Sequence, residues 1–284
     1  MYQYRILLYL CIVLLTACKT MQPVNNTVYS DTEKHASEQN NLRKLDDIAL
    51  NGKVYTSIWQ QNAGEFRALC YQAFNIAKIN IDNKLLNQEL TRPLAIITDI
   101  DETFLDNSPY AVTQALQGHE FSYSTWLEWT SQGKAIAYPG ALDFFNYAAS
   151  KNITVFYITN RNEQDKPGTL NNLQDLKFPF ADNEHLLVMR NTSDKEERRQ
   201  AVLKNYDVIM YLGDNLSDFS EVFYKKSQTE RNKLTDELFE TFGDKFIILP
   251  NAGYGDWETA LPGFNYNLSP AQKDSVYLKN LIGY

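Results

Sequence analysis

Five short apolar runs are separated by stretches that are more polar, and this alternation predicts the fold. The runs are continuous rather than alternating, which is typical of strands buried on both faces of a parallel sheet. Helix-like stretches lie between them, such as the one from Lys195 to Tyr206. Strand alternating with helix predicts an α/β fold with an open parallel, Rossmann-like sheet. The five runs occupy residues 94–98, 153–158, 186–189, 208–212 and 246–249.

Two further segments lie on either side of the first apolar run. Before the first run, residues 57–90 repeat apolar side chains at three- and four-residue steps, which predicts helix. After it, residues 106–149 form a segment longer than a simple crossover needs. That segment includes Tyr123, Trp126 and Trp129, and we expect it to form a small helical cap over the site.

The N-terminus has the pattern of an export signal. A basic residue, Arg5, precedes an apolar run from Ile6 to Leu15, which is too short to span a bilayer comfortably. The residues Leu-Thr-Ala-Cys ending at Cys18 resemble the bacterial lipobox, which implies cleavage before Cys18 and diacylglycerol on its sulfur. We therefore predict a lipoprotein signal peptide over residues 1–17. The alternative is an uncleaved membrane anchor with a chance cysteine.

The next segment is mostly polar and predicts a flexible tether over residues 18–54, followed by a folded domain over residues 55–284. Lys19 follows the lipobox cysteine, which by analogy with known lipoproteins favours anchoring to the outer membrane of a Gram-negative bacterium. Cys70 lies in an apolar helical pattern and predicts a buried, inert thiol.

Composition and charge exclude one class of partner. The chain has 284 residues, of which 44% are hydrophobic, enough for a sizeable core. Its net charge is −8, and it lacks the basic cluster that binding to a nucleic-acid polymer requires. The run of mixed charge over residues 195–199 is interpreted as the solvated face of a helix.

Carboxylates crowd the end of the first apolar run, in the stretch "ITDIDETFLDNSPY". Such charges repel strongly in a low-dielectric setting unless a cation or a shared proton relieves them. Ligands of open α/β sheets bind beyond the carboxyl ends of the strands, so residues that follow the other runs belong to the same place. The candidates are Asp99, Asp101, Thr159, Asn160, Lys195, Asp214 and Asp218.

This mixture of side chains predicts two kinds of ligand. Acids alone would indicate only a metal, whereas the ammonium and the neutral donors indicate an anion as well. Oxygen ligands select a hard cation, and Mg²⁺ is expected because it pairs with phosphate.

The motifs resemble the haloacid dehalogenase superfamily of phosphotransferases, and most closely its class C acid phosphatases, the lipoprotein e(P4) group. The two signature stretches of that family appear as "ITDIDETFLDNSPY" and "IMYLGDNLSDF", and "WQQNAGEFRALCYQAFNIAK" and "PNAGYGDWE" are similar to it as well. The resemblance covers about residues 55–284 and implies a sheet of the haloacid dehalogenase type. Thr98 and Phe104 depart from the usual signature, where a smaller or aliphatic side chain is expected.

The resemblance implies the chemistry of two residues. Asp99 would attack phosphorus and form an aspartyl-phosphate. Asp101 would protonate the leaving alkoxide and then activate water.

The resemblance also implies how the metal and the substrate are held. Mg²⁺ would be bound by carboxylate oxygens of Asp99 and Asp214 and by the backbone carbonyl of Asp101, with Asp218 supporting this shell. Substrate contacts are implied for Thr159, Asn160 and Lys195 at the phosphoryl oxygens and for Trp126 and Tyr254 as aromatics stacked on the base.

Four neighbouring residues keep alternative interpretations. Asp106 and Asn107 belong either to a simple turn or to the site. Glu102 is expected to organise its loop rather than take part in chemistry. Arg161 is left open between a contact to substrate and a pair with a surface acid.

We predict an Mg²⁺-dependent acid phosphatase and 5′-nucleotidase, anchored to the outer membrane by lipid on Cys18. Its expected substrates are small phosphomonoesters, in particular nucleoside 5′-monophosphates and nicotinamide mononucleotide. One alternative is a phosphatase of the same superfamily that acts on sugar phosphates or broadly on small esters. The other is a non-catalytic lipoprotein that binds haem or a nucleotide, which has no need for Asp99 and Asp101 together with Lys195. A homodimer is left open.

Overall fold

The structure, a computed structural model, describes residues 46–87 and 92–284. The predicted signal peptide, Cys18 and residues 18–45 of the predicted tether lie outside the described residues. The strands are β1 (Leu94–Thr98), β2 (Leu105–Asp106), β3 (Ile136–Ala137), β4 (Thr154–Asn162), β5 (Leu186–Met189), β6 (Asp207–Gly213) and β7 (Phe246–Ile248).

Five of these strands form one sheet in the order β5–β4–β1–β6–β7, and every neighbouring pair is parallel. These strands are the five apolar runs, so the predicted α/β fold with an open parallel sheet is confirmed. β1 lies at the centre, between β4 and β6. The carboxyl ends of these three strands therefore lie at the same edge of the sheet.

Ten α-helices are described. They are α1 (Ile48–Asn62), α2 (Gly64–Asn87), α3 (Ser108–Leu116), α4 (Tyr123–Ser131), α5 (Ala141–Ser150), α6 (Lys166–Asp175), α7 (Glu196–Leu203), α8 (Gln228–Glu237), α9 (Asp256–Thr259) and α10 (Pro270–Lys279). Across residues 46–87 and 92–284, no helix combines the length and the apolar character needed to cross a membrane.

The folded part begins earlier than predicted. Helix α1 starts at Ile48, so residues 48–54, which were assigned to the tether, are helical. The backbone N–H groups of Asp47 and Ile48 each donate to the carboxylate of Asp274 in α10, both at 2.9 Å. These hydrogen bonds across the fold hold the start of α1.

The core lies on both faces of the sheet, which explains why the strand sequences are continuously apolar. In β1, Ile96 packs on one face with α2 and α5, while Ala95 and Ile97 pack on the other face with α7. Burying an isoleucine side chain stabilises the fold by about 1.5–3 kcal/mol. Both faces of β1 therefore contribute to the stability of the fold, and this packing fixes the position of its carboxyl end.

The cap is shorter than the predicted segment 106–149. Strands β2 and β3 pair antiparallel, Leu105 with Ala137, and enclose α3 and α4. Helix α5 instead packs against β4, and its Phe144 and Phe145 are buried in the main core. The predicted boundary at 149 is therefore wrong, because residues from 141 onward belong to the layer that covers the sheet.

Candidate active site

The predicted site residues converge at the carboxyl ends of β1, β4 and β6. Asp99 follows β1 directly, and its backbone N–H donates to the carbonyl oxygen of Leu212 on β6 at 2.9 Å. The side chains surround a cavity of about 480 Å³, a volume within the usual range for small-molecule sites. Its lining includes Asp99, Asp101, Trp126, Asn160, Lys195, Asp214, Asp218 and Tyr254.

Lys195 joins two of the acids. Its ammonium donates to Oδ1 of Asp99 and lies 2.7 Å from Oδ1 of Asp218. Burial alone would lower the pKa of Lys195, but the two carboxylates outweigh it and raise that pKa. Lys195 is therefore a fixed positive charge at the floor of the cavity, where an anion would bind.

A buried acidic cluster accompanies this lysine. One carboxylate oxygen each from Asp99, Asp214 and Asp218 lies within 4.8 Å of the other two, and of these three residues only Asp214 is partly exposed. Burial raises the pKa of Asp99 to about 7, with Lys195 opposing it, and burial together with the charges of Asp218 and Asp99 raises the pKa of Asp214 well above its usual range. A bound divalent cation would favour the ionised carboxylates. Buried acids that supply oxygen alone fit a hard divalent metal.

Hydrogen bonds fix the orientation of the outer acids. Thr103 donates to Oδ1 of Asp214 at 3.1 Å, and Asn251 donates to Oδ2 of the same residue at 2.7 Å. Oδ2 of Asp218 accepts the backbone N–H of Asn215 at 3.0 Å, while its Oδ1 faces Lys195. Asp218 thus has both oxygens engaged, as suits the supporting position implied for it.

Asp101 is held by an arginine that the sequence analysis left open. Nη2 of Arg161 donates to Oδ1 of Asp101 at 2.7 Å, and Nε lies 3.1 and 3.2 Å from its two oxygens. Arg161 is only 2% exposed, so it is neither a surface residue nor paired with a surface acid. Arg161 directly follows Asn160, beyond the apolar part of β4, and this position is the sequence signal that could have placed it in the site.

Thr159 and Asn160, the other two residues implied at the phosphoryl group, differ in their exposure. Thr159 is fully buried, and its hydroxyl accepts the backbone N–H of Arg161 at 3.1 Å. Asn160 is exposed to the cavity, and its Oδ1 accepts a hydrogen bond from Arg198 at 2.9 Å. Arg198 is therefore a cation beside the site that sequence reasoning missed.

The run of mixed charge at residues 195–199 is not simply a solvated helix face. Arg199 is 2% exposed, and its Nη1 donates to the carbonyl oxygens of Ser217 and Asp218 at 2.9 and 3.1 Å. The earlier interpretation is wrong for this residue, because its guanidinium is needed to hold the loop that carries Asp218. Lys195 is also buried, with 4% of its surface exposed.

Glu102 organises the loop after β1, as expected. Its backbone has a positive φ of 54°, and such a strained residue needs support from its surroundings. Oε1 accepts the backbone N–H of Asn107 at 2.9 Å, and Oε2 accepts the hydroxyl of Tyr254. Burial, and then the charge of Asp101, raise the pKa of Glu102 to about 8.

Asp106 belongs to a buried turn. Its Oδ1 accepts the side-chain amide of Gln60 at 2.7 Å and the backbone N–H of Ser108 at 2.8 Å. These bonds connect the first turn of α3 to α1. The turn interpretation therefore describes Asp106 better than a place in the site.

The residues that depart from the family signature have packing contacts. The hydroxyl of Thr98 donates to the carbonyl oxygen of Asp99 at 2.7 Å within the buried sheet. Phe104 is fully buried, with its ring centroid 5.1 Å from that of Phe145 and 4.8 Å from that of Phe178.

Two aromatic side chains line the outer part of the cavity. Trp126 is half-buried in the cap helix α4, where its ring packs edge-on against Tyr110 at 5.1 Å. The guanidinium carbon of Arg161 lies 5.5 Å from the centre of the Trp126 ring. Tyr254 is 40% exposed although its hydroxyl bonds to Glu102, so part of its ring is free to contact a ligand. The structure thus brings both predicted aromatics to one cavity.

The sequence matches a known family along most of its length. The model of the acid phosphatases of HAD superfamily subfamily IIIB matches residues 16–257. Acid phosphatase 1 of Solanum lycopersicum is 28% identical over 131 residues, 43% of this chain and 50% of that protein. Stem 31 kDa glycoprotein of Glycine max is 27% identical over 128 residues, with the same two shares. The chain therefore spans about half the length of these curated relatives.

The fold matches solved structures more completely. Two solved structures of class C acid phosphatase from Bacillus anthracis, one of them a crystal structure with tungstate bound, are each similar to this chain with a TM-score of 0.80 and 37% identity. Each match covers 84% of this chain and 99% of the other.

These matches confirm the resemblance to class C acid phosphatases and the fold of the haloacid dehalogenase type. The predicted enzyme class, phosphoric monoester hydrolase, is the class of the matched family. A family match over residues 16–257 and a structural match over 84% of the chain agree. The chain therefore belongs to the acid phosphatases of HAD superfamily subfamily IIIB.

Proposed function

We propose that this protein hydrolyses small phosphomonoesters through an aspartyl-phosphate on Asp99. The observation that carries the proposal is the placement of Asp99 on the cavity floor, bonded to the buried ammonium of Lys195 and next to Asp101 and the other acids. A binding protein would not need a buried nucleophile, a second carboxylate two residues away and a cation together. The non-catalytic alternative is therefore less well supported.

In the first step, an oxygen of Asp99 forms a bond to phosphorus while the bond from phosphorus to the ester oxygen breaks. Asp101 gives its proton to the departing oxygen, so the alcohol leaves neutral. Lys195, with Thr159 and Asn160, stabilises the negative charge on the phosphoryl oxygens. In the second step, Asp101 accepts a proton from water, which attacks the aspartyl-phosphate and releases phosphate and the free carboxylate of Asp99.

We also propose that Mg²⁺ is the metal, held by Asp99, Asp214 and the backbone carbonyl of Asp101. When bound, the metal would offset the repulsion between a carboxylate and an anionic phosphate ester. Thr103 and Asn251 would orient Asp214 for this role through the bonds they already make.

A tetrahedral oxyanion binds to one relative of this protein, since one Bacillus anthracis structure has tungstate bound. Tungstate resembles phosphate in shape and charge. This likeness supports a phosphoryl group as the ligand next to Lys195.

We propose nucleoside 5′-monophosphates, including nicotinamide mononucleotide, as the preferred substrates. Trp126 and Tyr254 line the same cavity as Asp99, and aromatic stacking contributes about 1–3 kcal/mol per base. A sugar-phosphate or broad phosphatase is the second candidate, because Lys195 and Asp99 would contact the phosphoryl end that all such esters share.

We further propose that lipid on Cys18 anchors the enzyme to the outer membrane of a Gram-negative bacterium. Cys18 lies outside the described residues, and the proposal rests on the lipobox and on Lys19. At that location the enzyme would remove phosphate so that a nucleoside can be imported.

A substrate panel tests these proposals. The purified protein should hydrolyse p-nitrophenyl phosphate, lose that activity in EDTA and regain it when Mg²⁺ is restored. Values of kcat/KM for AMP and nicotinamide mononucleotide should exceed those for glycerol phosphate and for a sugar phosphate. Equal values across the panel would instead favour the broad phosphatase, and no hydrolysis of any ester with Mg²⁺ present would favour the binding protein.

A further inference from the structure

We propose that the cap helix α4 positions the acid–base residue Asp101 through two tryptophans, with Arg161 and Asn107 as the connecting residues. This inference rests on the role proposed above for Asp101. Trp129 does not line the cavity, and Asn107, which lies within the signature stretch and lines the cavity, was left open between a turn and the site, so neither had been given a role in the reaction.

Arg161 and Asn107 hold Asp101 from two sides. The guanidinium of Arg161 donates to both carboxylate oxygens, and the side-chain amide of Asn107 donates to Oδ1 at 2.9 Å. Oδ1 thus accepts from both residues and is fully engaged. Among the described residues, Oδ2 has the longer contacts, to Nε of Arg161 at 3.2 Å and to the hydroxyl of Thr159 at 3.5 Å. Oδ2 is therefore the oxygen left to exchange a proton with substrate or water.

Asn107 is oriented by the cap. The indole N–H of Trp129 donates to Oδ1 of Asn107 at 2.8 Å. Because an indole can only donate and Oδ1 of Asp101 is the oxygen that accepts from Arg161, the amide of Asn107 has one orientation that satisfies both neighbours. Trp129 therefore acts on Asp101 through one intervening side chain.

Arg161 is oriented by the cap as well. Its guanidinium lies against the ring of Trp126, and its Nη1 donates to Thr169 in α6 at 3.0 Å. The same helix α4 carries both tryptophans, at positions three residues apart, which lie on one face of a helix. Helix α4 is itself attached to the core by Thr130, which donates to the buried carboxylate of Asp165 at 2.6 Å.

The consequence is that Asp101 has its productive geometry only while α4 is docked. Proton transfer requires a heavy-atom distance of about 2.6–3.2 Å, so small displacements of the carboxylate are costly. A misplacement of about 1 Å can reduce the rate by roughly 10²-fold. Trp126 also lines the substrate cavity, so one helix contacts the substrate and determines the position of the acid.

The decisive variant is Trp129→Phe, which keeps an aromatic ring and removes the N–H donor together with part of the ring volume. The parameter is kcat/KM, because it reports the step in which the leaving group departs. Glycerol phosphate has a strongly basic leaving group that depends on protonation, whereas p-nitrophenolate leaves with little help. We expect kcat/KM to fall about 10-fold for glycerol phosphate, within the range that general acid catalysis supplies, and less than about 3-fold for p-nitrophenyl phosphate. Asn107→Ala should show the same selectivity with a larger loss.

Tyr147→Phe is the matched control, since it also removes one hydrogen-bond donor from a ring, here the bond to Asp82 away from the cavity. It should leave the ratio of kcat/KM for the two esters unchanged. Melting temperatures and active-site titration correct each value for any unfolded fraction. Equal losses on both esters in Trp129→Phe and Asn107→Ala would overturn the positioning role.

Asp101→Asn separates this inference from the proposed function. If Asp101→Asn is inactive while Trp129→Phe and Asn107→Ala keep wild-type ester selectivity, only the positioning role fails. If Asp101→Asn retains wild-type activity on glycerol phosphate, the acid–base role of Asp101 fails, and the positioning role with it. Both esters are free of a nucleobase, so neither result depends on nucleotide specificity.

Discussion

At the residue scale, the site is a balance of buried charges. Lys195 contacts Asp99 and Asp218, while Arg161 contacts Asp101, so two buried cations face several acids around one cavity. Removing one partner of a buried pair leaves the other charge uncompensated, which costs about 3–5 kcal/mol. Substitutions here must therefore be chosen so that each remaining charge keeps a partner.

Asp99→Asn meets that condition, because Lys195 retains Asp218 at 2.7 Å. We expect kcat for p-nitrophenyl phosphate to fall by about 10³-fold or more, since the amide cannot attack phosphorus. The melting temperature should change little. Asp236→Asn, the same change at an exposed position in α8, is the control and should have normal kinetics. Activity of Asp99→Asn near that of the wild type would mean that another group attacks phosphorus.

Trp126→Ala tests the aromatic contact with the base. We expect kcat/KM for AMP to fall at least about 10-fold more than that for glycerol phosphate, equivalent to ~1.4 kcal/mol of stacking. Both esters should lose some rate in common, because Trp126 also lies against Arg161. Tyr254→Phe keeps the second ring and removes only its bond to Glu102, so it should retain the preference for AMP. Equal losses of kcat/KM on both esters in Trp126→Ala would place the base elsewhere.

Cys70 is predicted to be unreactive. It is fully buried, and burial raises the pKa of its thiol to about 12. An ordinary thiol ionises near pH 8.5, so between that pH and about 12 the unfolded chain has a thiolate while the folded chain does not. Iodoacetamide at pH 9 should therefore label the Cys70 peptide in urea but not in buffer, as measured by mass spectrometry. Equal labelling in both would mean that the helix opens rapidly.

At the element scale, the strands were predictable and the boundaries of the cap and tether were not. Residues such as Ile96 and Ile97 in β1 are buried on opposite faces, so burial itself makes the sequence continuously apolar. The end of the cap was missed because an apolar helix face does not reveal which neighbour covers it. Helix α1 was missed in part because its first turn depends on Asp274, distant in sequence.

The same distinction applies to the site. Asp99, Asp101 and Asp214 follow strands directly, so the topology of the sheet brings them together and sequence suffices. Arg161 has an equivalent place in β4, but whether its side chain turns inward depends on Trp126 and Thr169 around it. The partners of a long side chain are set by tertiary packing, which the local sequence does not contain.

The contact between α6 and the cap helix α4 gives a prediction at this scale. A Cβ added at Gly168 would lie 2.4 Å from the carbonyl oxygen of Thr130 and 2.8 Å from Cα of Ser131. Alanine favours a helix over glycine by about 1 kcal/mol, but overpacking against backbone costs about 1–3 kcal/mol. We expect Gly168→Ala to lower the free energy of unfolding, and each lost kcal/mol to lower the melting temperature by about 2–4 °C.

Gly52→Ala in α1 is the matched control. An added Cβ there has no atom within 4 Å, so the helix propensity of alanine should act alone. We expect the melting temperature to rise, by an amount that corresponds to about 1 kcal/mol or less. If Gly168→Ala proved as stabilising as Gly52→Ala, α4 and α6 would not be in close contact.

At the scale of the whole molecule, an acidic protein must bind an anion. The chain has 35 acidic and 27 basic residues and a net charge of −8, so its overall field repels a phosphate ester. Attraction of the phosphate ester is therefore local. It comes from three cations beside the cavity, Lys195, Arg161 and Arg198. Since exposed charges are screened beyond about 8 Å at physiological salt, these nearby cations determine the potential that a bound substrate experiences.

Location is the remaining property of the whole molecule, and Cys18 is the residue on which it depends. We expect wild-type protein to sediment with membranes and to resist extraction by high salt, because two acyl chains bind at about 0.8 kcal/mol per buried methylene. Cys18→Ser removes the sulfur that would bear the lipid, so the protein should become soluble or accumulate as a precursor of higher mass. Phosphatase activity per molecule should be unchanged, since the residues that line the cavity begin at Lys53, well after Cys18.

Mass spectrometry of the N-terminus checks this prediction directly. Wild-type protein should begin at Cys18 and have the added mass of diacylglycerol, with or without a further acyl chain. Cys11→Ser is the matched control, because it removes a cysteine from the predicted signal peptide and should leave both processing and membrane attachment intact. Suppose that Cys18→Ser is still cleaved, has the mass of an unlipidated mature chain and stays attached to the membrane. That result would show that Cys18 is not the anchor.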